Sequence, residues 1–330
     1  MRSSSQYINE SVFNVNLKIL KKQNETKELF FKCLDEEREY EYFKEQLEKI
    51  WDNIDFDFLR EDLANYEELI HEENMEGRKE LEVVPEGFLT VFALVPLAVI
   101  LTQEERLKRW KLRDYRNSKE SYAYKEDKQE YLKNKVQRYT DNIVEYVSHT
   151  GGKSRYVALN TYASMIHNTN MTRTAWNTTL NDAERTGIEL FYIPYHSFSC
   201  PDCIEHQNKI YTKEQVIDMI GVAEEVEGDI LHPNCKCTLV MLGNGENMIK
   251  TNSFSDSEKE EIYEIRQKTN TLTLEKERLL TDRRIQRDLG NQDEVDKINQ
   301  KLRKINSSIN ELQEKLPTEE LRKQVVAINR

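Results

Sequence analysis

The sequence predicts a mainly α-helical protein with a small α+β centre. Only 10 Gly and 6 Pro occur in 330 residues, which favours long helices over an architecture with many turns. Apolar residues recur at helical spacing at both ends of the chain. Four of the five cysteines fall within 38 residues, among short strand-like segments.

The first predicted region, residues 1–150, is acidic and begins with helices from about Lys18 to Glu82. Between Asp35 and Glu73 the chain carries 16 acidic residues against 4 basic ones. We expect this charge on a solvated outer helix face; the alternative is docking onto a basic partner surface. Apolar residues at steps of three and four predict the inner face: Phe43, Leu47, Ile50, Ile54, Phe58, Leu63, Tyr66 and Ile70.

The longest apolar run, FLTVFALVPLAVIL at 88–101, has 14 residues, and Pro96 interrupts it. A helix that spans a membrane needs about 20 apolar residues. We therefore expect a buried helix and no stable membrane insertion. The opening MRSSSQYINE lacks the apolar core of a secretory signal, so we expect the chain to fold inside the cell with its thiols reduced or metal-bound.

Residues 103–138 carry 12 basic and 7 acidic residues, interleaved with Trp110 and four tyrosines. This mixture supplies charge for phosphates and rings for bases, as a DNA-binding accessory protein requires. It also describes an amphipathic helix with its tyrosines on the inner face, which is the interpretation we favour.

The glycine pair in SHTGGKSR (148–155) predicts a loop and a domain boundary, followed by a central module over 151–245. Within this module we predict a helix or helix pair over 156–186, ended by Gly187, and a short helix over 213–223. Short antiparallel strands that hold the cysteines are predicted at 188–196, 209–212 and 237–242.

The last region, residues 246–330, is predicted to be a helical hairpin or coiled coil. A helix-prone stretch over 259–289 ends at Gly290, and Asp293 can cap the next helix. Apolar residues then form a heptad seam over 295–316, which could close on the chain itself or dock on a partner helix or a second copy. The seam consists of Val295, Ile298, Leu302, Ile305, Ile309, Leu312 and Leu316.

The cysteines predict a metal site. Cys200 and Cys203 form a Cys-x-x-Cys pair, a standard first arm of a zinc site, and Cys235 and Cys237 form a Cys-x-Cys second arm. Four thiolates suit structural zinc, which contributes on the order of 10 kcal/mol to folding. Replacement of the isolated Cys33 by serine is expected to be nearly silent. Three nearby imidazoles are spare ligands: His196, His206 and His232.

The CPDC sequence at 200–203 leaves a second interpretation open, a thiol–disulfide oxidoreductase. Such an enzyme needs its first cysteine at the start of a long helix, which lowers the pKa of the thiol. Here a strand-like segment follows within six residues, and the second cysteine pair would have no role. A third interpretation, free cysteines in a core, does not explain why four of the five cysteines fall in two tight pairs within 38 residues, so we favour the structural metal site. No catalytic Ser, His and Asp set, phosphate loop or carboxylate pair is visible in the sequence.

These segments resemble, in order and spacing, the minor head or head-morphogenesis proteins of tailed bacteriophages, the phage Mu F-like and minor capsid group. The resemblance covers about residues 155–245. Asn208 stands where these relatives carry glycine, and the turn is expected to persist because asparagine tolerates a positive φ. The similar segments are MTRTAWNTTLNDAERTG, the strand at 188–196, the pair Cys200–Cys203, QNKIY at 207–211 and HPNCKC at 232–237.

The resemblance implies a structural virion protein without enzymatic activity, acting at the portal or inner capsid during procapsid assembly, with DNA packaging or delivery as a further role. Its partners would be the portal protein, the major capsid protein or both, with DNA as another candidate. Its location would be the host cytoplasm during assembly and then the virion. Because relatives carry His at the second position of each cysteine pair, the resemblance favours Cys203, Cys235 and Cys237 as zinc ligands, with Cys200 or His196 completing the set.

Overall fold

The computed structural model describes residues 4–52, 57–75, 89–147, 154–196, 201–221, 235–242 and 255–318. The helices in these ranges are α1 (Ser4–Asp35), α2 (Tyr40–Asp52), α3 (Asp57–Met75), α4 (Leu89–Ala123), α5 (Lys128–Arg138), α6 (Leu159–Thr186), α7 (Pro201–Ile204), α8 (Lys213–Gly221), α9 (Asp256–Asp288) and α10 (Gln292–Glu314). The strands are β1 (Asn142–Val147), β2 (Ser154–Ala158), β3 (Leu190–Ile193), β4 (Lys209–Thr212) and β5 (Val240–Met241). The predicted mainly α-helical fold with a small α+β centre is confirmed.

The N-terminal helices follow the predicted pattern. Helix α1 begins at Ser4, earlier than predicted, and α2 and α3 follow it. Most acidic residues of α2 and α3 are exposed, as expected for a solvated face. Ile50 is half-buried, and Ile54 and the side chain of Phe58 lie outside the described part of the chain. The other predicted inner-face residues are buried: Phe43, Leu47, Leu63, Tyr66 and Ile70.

Helix α4 contains most of the apolar run and continues through Pro96 without a break, so the predicted interruption is wrong for the backbone. Proline removes one backbone hydrogen bond from a helix, and the remaining bonds on either side keep α4 continuous. The side chains of 89–99 lie outside the description; Ile100 is buried and Leu101 is exposed. Among the described helices, none has the length and apolar character needed to cross a membrane.

Two antiparallel sheets lie in the middle of the described chain. One pairs β1 with β2, and in the other β3 lies between β4 and β5. The three predicted strand segments contain β3, β4 and β5, which confirms them. The pairing of β1 with β2 is not predicted by the sequence, and it delays the start of α6 to Leu159. Residues 148–153 of the predicted loop at 148–155 lie outside the described residues, and its last two residues belong to β2, so the loop prediction is wrong for them.

Two turns around the second sheet require a positive φ. Gly187 has φ +67° and ends α6 as predicted, and the N–H of Ile188 donates to the carbonyl of Ala183 at 2.9 Å. Asn208 has φ +57°, and the hydroxyl of Tyr192 donates to its Oδ1 at 2.8 Å. The expectation that asparagine can replace glycine at this turn is confirmed.

A capping box fixes the start of helix α8. The N–H of Thr212 donates to Oε1 of Gln215 at 2.9 Å, and the N–H of Gln215 donates to Oγ1 of Thr212 at 3.3 Å. This reciprocal pair ends β4 and begins α8 at the next residue. The predicted helix over 213–223 is confirmed as far as Gly221.

The C-terminal helices form the predicted pair. Gly290 has φ +69° and follows α9. The N-cap of α10 is Asn291, and Asp293 lies in the first helical turn, so the prediction that Asp293 caps this helix is wrong. The N–H of Asn291 donates to the carbonyl of Gln286 at 2.8 Å, and α10 begins at the next residue, Gln292.

The heptad seam is covered by the chain itself. Leu312 is half-buried, and the other seam residues are at most 8% exposed. These buried residues are Val295, Ile298, Leu302, Ile305, Ile309 and Leu316. Of the two expectations for the seam, closure within the chain is the one that the structure supports.

The chain forms two compact units, each assembled from three separate segments. The first unit comprises Met1–Val15, Phe56–Ala98 and Ala163–Glu264. The second unit comprises Asn16–Asp55, Val99–Tyr162 and Ile265–Arg330. The predicted division of the chain into three consecutive regions, with boundaries at residues 150 and 245, stays a prediction.

An aromatic core lies in the second unit. Phe43 and Tyr115 stack with ring centroids 4.1 Å apart, and Phe30 contacts both rings edge-on. Tyr115 and Tyr122 are buried, so these rings of the basic segment are not available to stack on bases. Their burial supports the amphipathic-helix interpretation for these two tyrosines, whereas Tyr124 is 89% exposed and the segment 103–138 is divided between α4 and α5.

Cys33 belongs to this second-unit core, with 1% of its surface exposed, and burial raises the pKa of its thiol to about 11. Cys33→Ser would place a more polar hydroxyl in this apolar site. We expect the free energy of unfolding to fall by about 1–3 kcal/mol, measured by urea denaturation, in place of the silent effect inferred from the sequence. A serine variant as stable as the parent protein would contradict this expectation.

Candidate metal centre

Three buried cysteine sulfurs lie together in the first unit. The Sγ atoms of Cys203, Cys235 and Cys237 all lie within 4.8 Å of one another, and those of Cys203 and Cys235 are 3.6 Å apart. Each residue is 1% exposed, and all three are free thiols. The structure therefore brings together the two cysteine arms that the sequence places about 30 residues apart.

Cys203 is positioned by α7 and the turn that follows it. The N–H of His206 donates to the carbonyl of Cys203 at 3.1 Å, and the N–H of Gln207 donates to the carbonyl of Ile204 at 3.2 Å. The N–H of Asn208 donates to the carbonyl of Ile193 at 2.8 Å, which ties this turn to β3. The first cysteine arm is thus fixed to the sheet by backbone hydrogen bonds.

The second arm, residues 235–239, is held by side chains of α6. The carbonyl of Cys235 accepts hydrogen bonds from Nδ2 of Asn168 at 2.8 Å and from Oγ1 of Thr172 at 2.6 Å. These residues are buried, so the bonds form away from solvent. They satisfy a backbone carbonyl that no neighbouring strand serves in the described chain.

The same helix face continues along the arm. Nε1 of Trp176 donates to the carbonyl of Cys237 at 2.7 Å, and Oγ1 of Thr179 donates to the carbonyl of Leu239 at 3.3 Å. We call these bonds from Asn168, Thr172, Trp176 and Thr179 the α6 ladder. Within the described chain, it takes the place of a strand partner for the arm before β5.

The α6 ladder engages alternate carbonyls, so the arm is extended. In an extended chain, alternate side chains share a face, which places the thiols of Cys235 and Cys237 on one side. Lys236 lies on the other side, where its Nζ donates to Oδ1 of Asn9 at 2.5 Å. The Cys-x-Cys spacing therefore presents two sulfurs to one point.

Polar groups around Cys237 affect the pKa of its thiol. Nε2 of Gln207 donates to Sγ of Cys237 at 3.4 Å, and Gln207 is buried. A hydrogen bond from Cys203 lowers the pKa of Cys237, but the bond with Cys235 and desolvation by burial outweigh it, and the pKa lies well above its usual value. The Cys237 thiol therefore stays protonated at neutral pH unless a cation displaces its proton.

The remaining predicted ligands do not join this group among the described residues. His196 is buried but is not one of the three clustered donors. His206 is half-buried and also lies outside the cluster. Cys200 and His232 lie outside the described part of the chain.

The three sulfurs fit a metal ion better than a redox centre. Buried thiolates are donors that structural zinc prefers, and the ion takes four ligands, from cysteine or histidine, in a tetrahedron. A thiol–disulfide enzyme needs an accessible cysteine with a lowered pKa. Cys203 is buried, α7 has only four residues, and the pKa of Cys237 is raised.

The structure also joins a serine, an aspartate and a histidine that the sequence analysis missed. Oγ of Ser11 donates to Oδ2 of Asp62 at 2.5 Å and lies 2.7 Å from Nε2 of His167. Since a hydroxyl has one proton, His167 must donate to Ser11. In a nucleophilic triad the histidine accepts the serine proton, so this order of donors does not activate Ser11. The network links α1, α3 and α6.

His167 makes the stability of the first unit dependent on pH. Desolvation lowers the pKa of its imidazole from 6.5 to about 4, although the nearby Asp62 opposes this shift. A lowered folded-state pKa stabilises the protein above pH 6.5, and this contribution, up to about 3 kcal/mol, is lost as the pH falls from 6.5 towards 4. We expect His167→Gln to flatten the fall of unfolding free energy over this range, measured by urea denaturation at several pH values.

The half-exposed His206 provides the control for this series, because His206→Gln should keep the pH dependence of the parent protein. An unchanged pH dependence in His167→Gln would mean that the buried network does not contribute it.

Comparison with known proteins identifies the class. The family described as phage minor capsid protein 2 matches residues 116–314, more than half of the chain. No curated protein and no solved structure matches the chain. The match contains the described metal-centre residues and extends beyond the 155–245 resemblance on both sides.

The chain belongs to the phage minor capsid protein 2 family. It is therefore a structural protein of a phage capsid, it assembles with other phage proteins, and it is located in the virion. The resemblance inferred from the cysteine module is confirmed at this level.

Proposed function

We propose that this minor capsid protein acts at the portal vertex or inner capsid surface during procapsid assembly in the host cytoplasm, without catalysis. The observation that carries the proposal is the buried sulfur cluster within the region matched by the family. A metal staple whose described thiols are all buried suits a protein that must keep its shape while neighbours assemble around it.

We further propose that the cluster holds one zinc ion through Cys203, Cys235, Cys237 and Cys200. Cys200 is three residues before Cys203, the spacing at which two thiolates reach one ion. His196 and His232 are the alternative fourth ligands. When bound, zinc would supply cross-linking of the two arms and no chemistry of its own.

Elemental analysis of the purified full-length chain tests the zinc proposal, with one zinc per chain as the expected result. Cys200→Ser, His196→Ala and His232→Ala then identify the fourth ligand, since only the correct one should lower zinc content or affinity. The proposal is excluded if zinc-free protein, purified and then incubated with zinc under reducing conditions, takes up no zinc.

The assembly role is tested in phage-infected cells. Immunoblots of purified procapsids and mature particles should detect the chain in both, and chemical cross-linking in procapsids should join it to the portal or major capsid protein. Its absence from procapsids, with presence only in mature particles, would contradict a role in assembly and place its entry later.

Residues 151–245 would form the metal-dependent module, flanked by the acidic helical region 1–150 and the helical pair in 246–330. Limited proteolysis with and without a zinc chelator tests this division, because removal of zinc should expose new cleavage sites only within 151–245.

A further inference from the structure

In the α6 ladder, the spacing of the side-chain donors along the helix matches the spacing of the carbonyls along the extended arm. Four residues along a helix rise about 6 Å, and two residues of a strand span about 6.6 Å. Thr172 and Trp176 are four apart, and the carbonyls that they bind, of Cys235 and Cys237, are two apart. A shift of the arm by one residue would therefore break the bonds to both cysteine carbonyls.

The hydrogen bonds of the α6 ladder are shortest at the two cysteines. The bonds to Cys235 and Cys237 measure 2.6–2.8 Å, whereas the bond from Thr179 to Leu239 measures 3.3 Å. Trp176 and Thr172 are at most 2% exposed, so little water competes for these carbonyls. The well-formed part of the ladder coincides with the part of the arm that carries sulfur.

We infer that Asn168, Thr172 and Trp176 are positioning residues of the metal centre. They fix the register and extended conformation of residues 235–237, so that both thiols face Cys203 before a metal ion binds. A one-residue slip would turn Lys236 towards Cys203 and both thiols away from it. This inference rests on the proposed metal-binding function and adds the source of the site's geometry.

The test compares zinc affinities of full-length variants, by competition against cobalt(II) followed through sulfur-to-cobalt absorption. Trp176→Phe keeps an aromatic ring but removes the only side-chain donor found for the Cys237 carbonyl in the described chain. The double variant N168A/T172V removes both donors that α6 supplies to the Cys235 carbonyl. We expect each to weaken zinc binding about 10-fold or more, as loss of outer-shell partners does elsewhere.

Two matched variants separate positioning from general damage to the helix. Thr179→Val removes the bond to Leu239, beyond the cysteines, and should leave zinc affinity within about 3-fold of the parent, well below the outer-shell effect. N168A/T172S restores one hydroxyl donor to Cys235 and should recover most of the affinity lost in N168A/T172V.

The outcomes are distinct. If the parent chain binds neither cobalt nor zinc, the proposed metal centre is wrong, and the inference is overturned with it. If the parent binds zinc and both Trp176→Phe and N168A/T172V bind it equally tightly, only the inference is overturned. Equal losses in Thr179→Val and Trp176→Phe would also overturn it, because the effect would then not follow the cysteine register.

Discussion

Cys235→Ser is expected to abolish metal binding and to loosen residues 190–242. The serine hydroxyl is a poor zinc ligand, and a structural zinc site contributes on the order of 10 kcal/mol to the folding of the region that it joins. Cys235 lies at the centre of the predicted site, 3.6 Å from the sulfur of Cys203. Hydrogen exchange should show lost amide protection in this region, while far-UV circular dichroism keeps most of the helical signal.

Cys33→Ser is the matched control, because Cys33 is equally buried but lies in the second-unit core, outside the sulfur cluster. It should keep full zinc content and full protection of 190–242 despite its modest cost in stability. If Cys235→Ser retained zinc with parent-like exchange, the assignment of Cys235 as a ligand would be wrong.

Leu302→Asp should strongly destabilise the helical pair. Leu302 is 6% exposed in the middle of the seam, so the change removes a buried side chain and places a carboxylate in an apolar site. Leucine-to-alanine changes in cores alone cost about 2–5 kcal/mol, and the buried charge adds to this. Chemical denaturation should show a loss of at least about 4 kcal/mol, or an unfolded C-terminal pair.

Asn306→Asp makes the same change in net charge at an exposed position of α10. It should alter stability by no more than about 0.5 kcal/mol, as surface substitutions usually do. Comparable effects of the two substitutions would indicate that the seam is not a buried interface in solution.

The cysteine cluster was predictable in part. Paired cysteines within a short stretch indicate a metal because a tetrahedral ion needs several thiolates from two chain segments. The structure brings Cys203, Cys235 and Cys237 together, whereas Cys200 and His232 lie outside the described residues. The α6 ladder was not predicted, although an unusual run of Asn and Thr within a helix, residues with modest helix propensity, was its signal.

The ladder and the Ser11 network could not be derived from sequence because they join distant positions. Trp176 and Cys237 are 61 positions apart, and Ser11 and His167 are 156 apart. Each side chain has many possible partners in the sequence, and only the packing of α1, α3 and α6 selects one. The error at Asp293 is smaller in scale: Asn291 and Asp293 are both residues that favour the N-cap, and the helix begins after the first of them.

What the amino-acid sequence determined by itself is local: most of the helices, the strands β3 to β5, the turns at Gly187 and Asn208, and the two cysteine arms. These follow from periodicity, backbone conformational preference and ligand spacing, which act over a few residues. The tertiary structure alone decided the two discontinuous units, the closure of the seam and the α6 ladder. Those features depend on which distant surfaces bury one another, and burial is a property of the folded chain rather than of any short segment.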